Sequence, residues 1–182
     1  MSLRAMTLAT AFAFACVPAF AQTPAAPQTQ PPRTTGVAPA TGPISTPDFV
    51  NKVVMGDMFD TQAARIAVQK GDTSEKPFAQ KEITDHTKLT DEIKSMASAG
   101  KVHATVPTAL DREHQQKLDR LQTLSGKQFD DAYNKDAVES HESMVGLLQQ
   151  YAQNGDNGDL KQWSSKMLPE LSQHLSGAQK LK

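Results

Sequence analysis

The stretch KEITDHTKLTDEI, residues 81–93, carries Ile83, Leu89 and Ile93 at steps of three and four or their multiples, and the same stripe passes over Glu82 and close to His86. Apolar side chains recurring at that spacing mark an amphipathic helix. Ala79 and Met96 extend the stripe, so the helix spans about Glu75 to Ser98. Two ionisable groups one turn apart on the core-facing side are costly unless something pairs with them. The partners must come from neighbouring helices, and the flanking sequence supplies them.

Working outward, Gly71-Asp72-Thr73-Ser74 breaks the pattern, and before it a helix runs from about Thr46 to Lys70. Thr46-Pro47-Asp48 opens it, read as N-cap, proline at the first helical position and an acid in the first turn. On the other side Ala99-Gly100 ends the central helix, and a connector with Val102, Val106 and Pro107 leads to a shorter helix over about Ala109–Leu124. After Ser125-Gly126 a long helix over about Lys127–Gln153 carries Phe129, Tyr133, Ala137, His141, Met144, Leu148 and Tyr151. Asn154-Gly155-Asp156-Asn157-Gly158 reverses the chain, and a last helix over about Asp159–Leu181 shows Leu160, Trp163, Met167, Leu171, Leu175 and Ala178. No segment alternates with a period of two, so no strand is expected. Two tight hairpins joined by a long connection, residues 99–126, give an all-α class: a ferritin-like four-helix bundle with a short extra helix in the crossover.

Projecting each helix at about 100° per residue places further polar groups inside. The seam of the first helix, through Phe49, Val53, Ala64 and Ala67, passes over Gly56, Asp57 and Asp60; the fourth puts His141 between Ala137 and Met144; the last has His174 at the edge of its stripe and Glu170 one turn earlier at the solvent boundary. Counted from the turns at ~1.5 Å per residue, these fall near mid-bundle. Asp60, Glu82, His86, His141, Glu170 and His174 are therefore the candidate ligands of a transition metal, with iron, zinc, copper and manganese all compatible with nitrogen and oxygen donors. The competing reading is a hydrogen-bonded network that fixes helix register. The spacing Glu82-x-x-x-His86 and Glu170-x-x-x-His174 keeps each pair on one face but departs from the Glu-x-x-His of di-iron bundles, so a standard di-iron centre is not expected. His103 and His114, with no acid at useful spacing, are expected at the surface, and Met55 and Met58 read as gap-fillers rather than soft ligands. No nucleophile elbow, phosphate loop or dinucleotide fingerprint is present, so no catalytic or organic-cofactor residues are assigned.

The N-terminus, MSLRAMTLATAFAFACVPAFA, reads as a secretory signal peptide over residues 1–21, cleaved after Ala19-Phe20-Ala21. Its apolar run is too short to span a bilayer, and Phe14, where a lipoprotein signal has a small residue, argues against lipid attachment at Cys16. Cleavage removes the one cysteine, and with it disulfides and thiolate chemistry. It also removes Arg4 and no acid, taking 19 basic and 20 acidic residues to 18 and 20. A net charge of −2 offers no footprint for nucleic acid or an anionic membrane. Residues 22–46, rich in Pro, Thr, Ala and Gln, are expected to be a disordered linker, leaving 47–182 as the bundle domain. The reading is a periplasmic or secreted protein with no transmembrane segment once mature.

Phe49 to Gly56 opening a helix, Phe78-Ala79 followed by Asp85-His86-Thr87-Lys88, Leu124-Ser125-Gly126 with Phe129-Asp130 and Tyr133, His141-Glu142, and Leu168-Pro169-x-Leu171 with His174-Leu175 together resemble a bacterial family of exported, ferritin-like domains of unknown function, often labelled outer-membrane or secreted proteins. The resemblance spans about residues 47–181 and implies an envelope location and a ferritin-like core, but no activity. Asp60 stands where that family usually has Glu, and Trp163-Ser164 where it usually has Phe-Ala. The leading expectation is a non-catalytic envelope protein with a binding or protective role and an envelope or protein partner. The alternative is a metal-binding or metal-oxidising protein using the carboxylates and histidines inside the bundle.

Overall fold

The computed structural model describes residues 43–181; the expectations for the signal peptide, for Cys16 and for the linker up to residue 42 lie outside the described residues. The chain forms α1 (Thr46–Lys70), α2 (Glu75–Ser98), α3 (Arg112–Thr123), α4 (Lys127–Asn154) and α5 (Gly158–Ala178), and among the described residues there is no strand. Helix α1 packs along α2 and α4 along α5, and the connection holding α3 crosses between the two hairpins. That is the ferritin-like wiring of a four-helix bundle. Among the described residues no helix is long and apolar enough to cross a membrane.

Two helix starts differ from expectation. The cap of α1 is Ser45, whose hydroxyl oxygen accepts from the Asp48 N–H at 3.3 Å. Thr46 is already helical and buried, its Oγ1 2.6 Å from both the Tyr151 hydroxyl and Asp156 Oδ1. The buried tyrosine takes the threonine as its polar partner, so the cap falls one residue earlier. Helix α3 begins at Arg112 because Asp111 caps it, accepting from the His114 N–H at 2.9 Å. The same carboxylate lies 2.8 Å from His114 Nδ1, so His114 does have an acid at useful spacing, and its ring is tilted against Phe59 at 5.4 Å. His103 is exposed, as expected.

The crossover is tied down at both ends. Gly100, with φ 71°, supplies the left-handed turn after α2 that side chains resist. At the far end the Lys70 ammonium donates to the carbonyls of Gln122 and Leu124, placing a cation on the C-terminal end of α3, where its dipole is negative. Arg120 reaches the buried Asp136 on α4 at 2.6 Å.

The core has three layers along the bundle axis. One end is an apolar cluster built on Phe49, Val53, Leu89, Ile93, Leu148, Tyr151, Trp163 and Leu171, with Phe49 stacked on Tyr151 at 3.9 Å between ring centres. The other end holds Phe59, Ala64, Ala67, Ala79, Leu118, Leu121, Phe129 and Tyr133. Between them lies a band of buried polar side chains: Asp57, Asp60, Glu82, His86, His141 and His174. Each helix of the four contributes to the band because its seam carries polar residues at that height and apolar ones above and below.

Candidate metal centre

Helix α2 supplies Glu82 and His86 one turn apart, α4 supplies His141 and α5 supplies His174; all four are at most 2 % exposed. Glu82 Oε2, His86 Nε2 and His141 Nε2 form a nearly equilateral triangle with sides of 3.1, 3.2 and 3.0 Å. His174 closes the group from the other side, its Nδ1 2.9 Å from Glu82 Oε1. The three imidazole centres are 5.3, 5.4 and 5.6 Å apart. One donor atom from each residue lies within 4.8 Å of all the others. Four nitrogen or oxygen atoms bound at ~2.0–2.1 Å around a tetrahedral ion are separated by roughly 3.3 Å, so the triangle has the dimensions of one face of such a site.

What points the donor atoms inward is the set of acceptors outside them. His86 Nδ1 lies 2.8 Å from Asp57 Oδ1, His141 Nδ1 donates to the Ala137 carbonyl at 2.7 Å, and His174 Nε2 lies 2.8 Å from Asp85 Oδ2. His86 and His141 therefore each have an acceptor on the outer nitrogen, which places the proton there and leaves the inner nitrogen as a lone pair, while the outer nitrogen of His174 faces both Asp85 and the Lys81 ammonium, 3.0 Å away. Metal-bound histidines are held in this manner. The consequence is a pocket of acceptors facing acceptors. Glu82 Oε1 and His174 Nδ1 are both buried and make no hydrogen bond although they are in contact. Such a cluster is stable only with positive charge inside it, either extra protons or a cation.

The electrostatics agree. Burial drives the Glu82 carboxyl up, but the facing imidazoles of His141, His174 and His86 outweigh it and hold the acid well below the usual range. Burial drives His86 down, and Asp57, Glu82 and Asp60 more than reverse it, so its pKa lies well above that of a free imidazole. His141 is raised in the same way by Glu82 and Asp60, with His86 opposing. Asp57 and Asp60 are themselves raised by burial, only partly offset by His86 and His141. In the metal-free protein, protons supply the positive charge that the cluster requires.

Of the six residues expected as ligands, the structure brings Glu82, His86, His141 and His174 together. Asp60 stands behind them, its Oδ2 4.0 Å from His86 Nε2 and accepting from the Ser140 hydroxyl at 2.9 Å. Glu170 is half-buried and belongs to a separate outer group with Asp85 and the far side of His174. Two residues were missed as participants. Asp57 lies on the α1 seam three residues before Asp60 and holds His86, while Thr90 donates to its second oxygen at 3.2 Å. Asp85, next to His86 in sequence, faces α5 and is held below the usual carboxylate range, with Lys81 and His174 outweighing its partial burial.

A family model described as Domain of unknown function (DUF4142) matches residues 27–181. The chain belongs to that family. Among solved structures, it is similar to one titled "CopM in the Cu(II)-bound form", at 15 % sequence identity and a TM-score of 0.62, over 76 % of this chain and 95 % of that one. At that identity the likeness is one of fold. No curated protein matches the chain.

Proposed function

We propose that this DUF4142 protein is an exported, non-catalytic metal-binding protein that holds one transition-metal ion through Glu82, His86, His141 and His174. The observation that carries the reading is the convergence of the inward nitrogens of His86 and His141, each fixed by an acceptor outside it, on Glu82, with Glu82 Oε1 and His174 Nδ1 facing each other at 2.9 Å without a hydrogen bond. A network whose purpose was helix register would be expected to satisfy these atoms internally. Three imidazoles and one carboxylate suit Cu(II) and Zn(II) better than Fe(II) or Mn(II), on donor type and on the general affinity order. The Cu(II)-bound title of the fold neighbour supports placing copper first.

Binding without turnover follows from closure. Four protein donors can fill the coordination shell of one ion, whereas catalytic sites keep a position open, and the donors are at most 2 % exposed. The signal-peptide pattern of residues 1–21 supports a role outside the cytoplasm, where capturing a reactive ion would itself be protective.

The test is elemental analysis of protein purified from the envelope fraction, followed by titration of the stripped protein with Cu(II), Zn(II), Fe(II) and Mn(II). About one equivalent of Cu(II) or Zn(II) is expected, lost in a Glu82→Gln, His141→Gln variant that keeps its helical circular dichroism. A folded wild type that takes up none of the four would overturn the reading. Mass spectrometry of the same material should find Gln22 as the first residue, and a lipid-modified Cys16 would refute the export route.

A further inference from the structure

His174 has two faces. Its Nδ1 looks into the buried centre at Glu82, while its Nε2 meets Asp85 Oδ2 at 2.8 Å on the outer side. Asp85, Glu170 and His174 each offer a ligand atom within 4.8 Å of the others. Unlike the inner donors, this group opens to solvent, with the Asp85 side chain 17 % and Lys81 53 % exposed. Glu170 sits one turn before His174 on α5, directly after Pro169. Lacking an N–H, that proline leaves the Ser165 carbonyl without its helical donor. The Lys81 ammonium lies 3.0 Å from His174 Nε2 and pairs with Asp85, so a cation already sits against Asp85 and the ring.

We infer that Asp85, Glu170 and the outer nitrogen of His174 form an entry station for the metal ion, with Lys81 as the cation that an arriving ion must displace. This rests on the metal-binding reading and adds the route. An ion caught by the two carboxylates needs only to exchange the outer nitrogen of His174 for the inner one to reach Glu82, and the Lys81 ammonium swings out on its flexible stem. Two other openings lie near the centre: a cleft of about 230 Å³ between α1 and α2 that reaches Asp57 and Thr90 but is flanked by Arg65 and Lys94, and a groove of about 700 Å³ between α1, α3 and α4, lined by Met55, Gly56, Phe59, Ser140 and Met144. There Ser140 donates to Asp60, and the lining acids Asp111, Glu113, Glu139 and Glu142 form no group of three converging ligand atoms among the described residues.

The experiment is stopped-flow association and dissociation of Cu(II) with the full mature chain, followed by quenching of Trp163. Removing Glu170 as Glu170→Gln should slow association by ~fivefold or more, with dissociation slowed alike, so that Kd stays within about threefold. Lys81→Gln should speed association, whereas Lys88→Gln, exposed on the same helix, controls for the loss of one surface charge. Rates for Glu170→Gln equal to wild type, or for Lys81→Gln equal to Lys88→Gln, would overturn the entry station and leave the centre standing. A slow Ser140→Ala beside a normal Glu170→Gln would move the entry to the groove. If wild type takes up no Cu(II) at any rate, the metal reading itself fails and the station with it.

Discussion

At the scale of single residues, His86 carries the most consequence. It touches Asp57, Glu82 and His141 within 3.2 Å and stands 4.0 Å from Asp60, and all of them are buried. Replacing it by leucine would leave three carboxyl groups without their shared cation. Breaking a buried charge network from one side typically costs ~3–5 kcal/mol. His86→Leu should therefore lose at least ~3 kcal/mol in urea unfolding of the metal-free protein, and a loss below ~1.5 kcal/mol would mean that the acids are held by something else. Had the ring merely filled a satisfied core, the swap would be nearly neutral. Much of this was readable in the sequence, because Glu82, His86 and His141 interrupt apolar seams and a polar break in a periodic stripe is visible without a structure. Asp57 lies on such a seam too, but an acid that grips the back of a ligand looks no different in a helical projection from one that faces the centre. Asp85 was hidden for another reason: it is off the stripe, and only the approach of α5 turns that face inward.

At the scale of elements, the turn from α1 to α2 holds a further buried acid, outside the polar band. Glu75 is fully buried at the first position of α2, its Oε2 accepting from the Asp72 N–H at 3.0 Å, while its Oε1 has no donor. Burial, with Asp130 of α4 alongside, pushes its carboxyl up to about 7 against the hydrogen bond from Asp72. The fold thus holds a proton there that the unfolded chain has released, and this contribution to stability is present below pH ~4.5 and lost as pH rises through about 7. Glu75→Gln, which keeps the acceptor and adds a donor toward Asp130, should flatten the stability profile over that window. At pH 8 it should gain ~1 kcal/mol after allowance for screening; an unchanged thermal-melt profile would refute the assignment. Gly71 is fixed by the same turn, since a Cβ there would lie 2.5 Å from Glu75 Oε2 and 2.7 Å from the Ala67 carbonyl. Gly71→Ala should cost ~1–3 kcal/mol, and a smaller loss on chemical denaturation would show that the turn can open. The helix spans were legible because glycine-rich breaks separate long periodic runs. The starts were less so: Ser45 and Thr46, or Asp111 and the residues just before it, are all acceptable in isolation, and the cap is decided by which neighbour a distant tyrosine or histidine claims.

At the scale of the whole molecule, the polar band makes stability depend on pH in a sense that metal should reverse. Above pH ~6.5 the carboxyls held below their usual range, Glu82 and Asp85 among them, are ionised in both the folded and unfolded chain and contribute no slope. His86 and His141 are raised, so the folded protein keeps protons that the unfolded chain gives up once pH passes ~6.5. Stability from that source is complete below ~6.5 and is lost as pH climbs toward the folded values, each retained proton adding ~1.4 kcal/mol per pH unit to the slope. The metal-free protein should therefore melt at lower temperature at pH 9 than at pH 6.5. A metal ion needs the inner nitrogens unprotonated, so its binding expels those protons and strengthens with pH. In excess Zn(II) or Cu(II), the stabilisation grows with the ratio of free metal to Kd, and the melting temperature should hold level or rise over the same interval. Calorimetry of the two forms at pH 6.5, 7.5 and 9 makes the comparison. Parallel profiles would mean that protons and metal do not compete for the same atoms, which would place any bound ion away from the His86–His141–Glu82 triangle. Crossing profiles would tie ion and protons to one set of lone pairs, and would explain how four helices can bury three histidines and their acids without stranding charge: the band between the two apolar layers is filled by protons until metal replaces them.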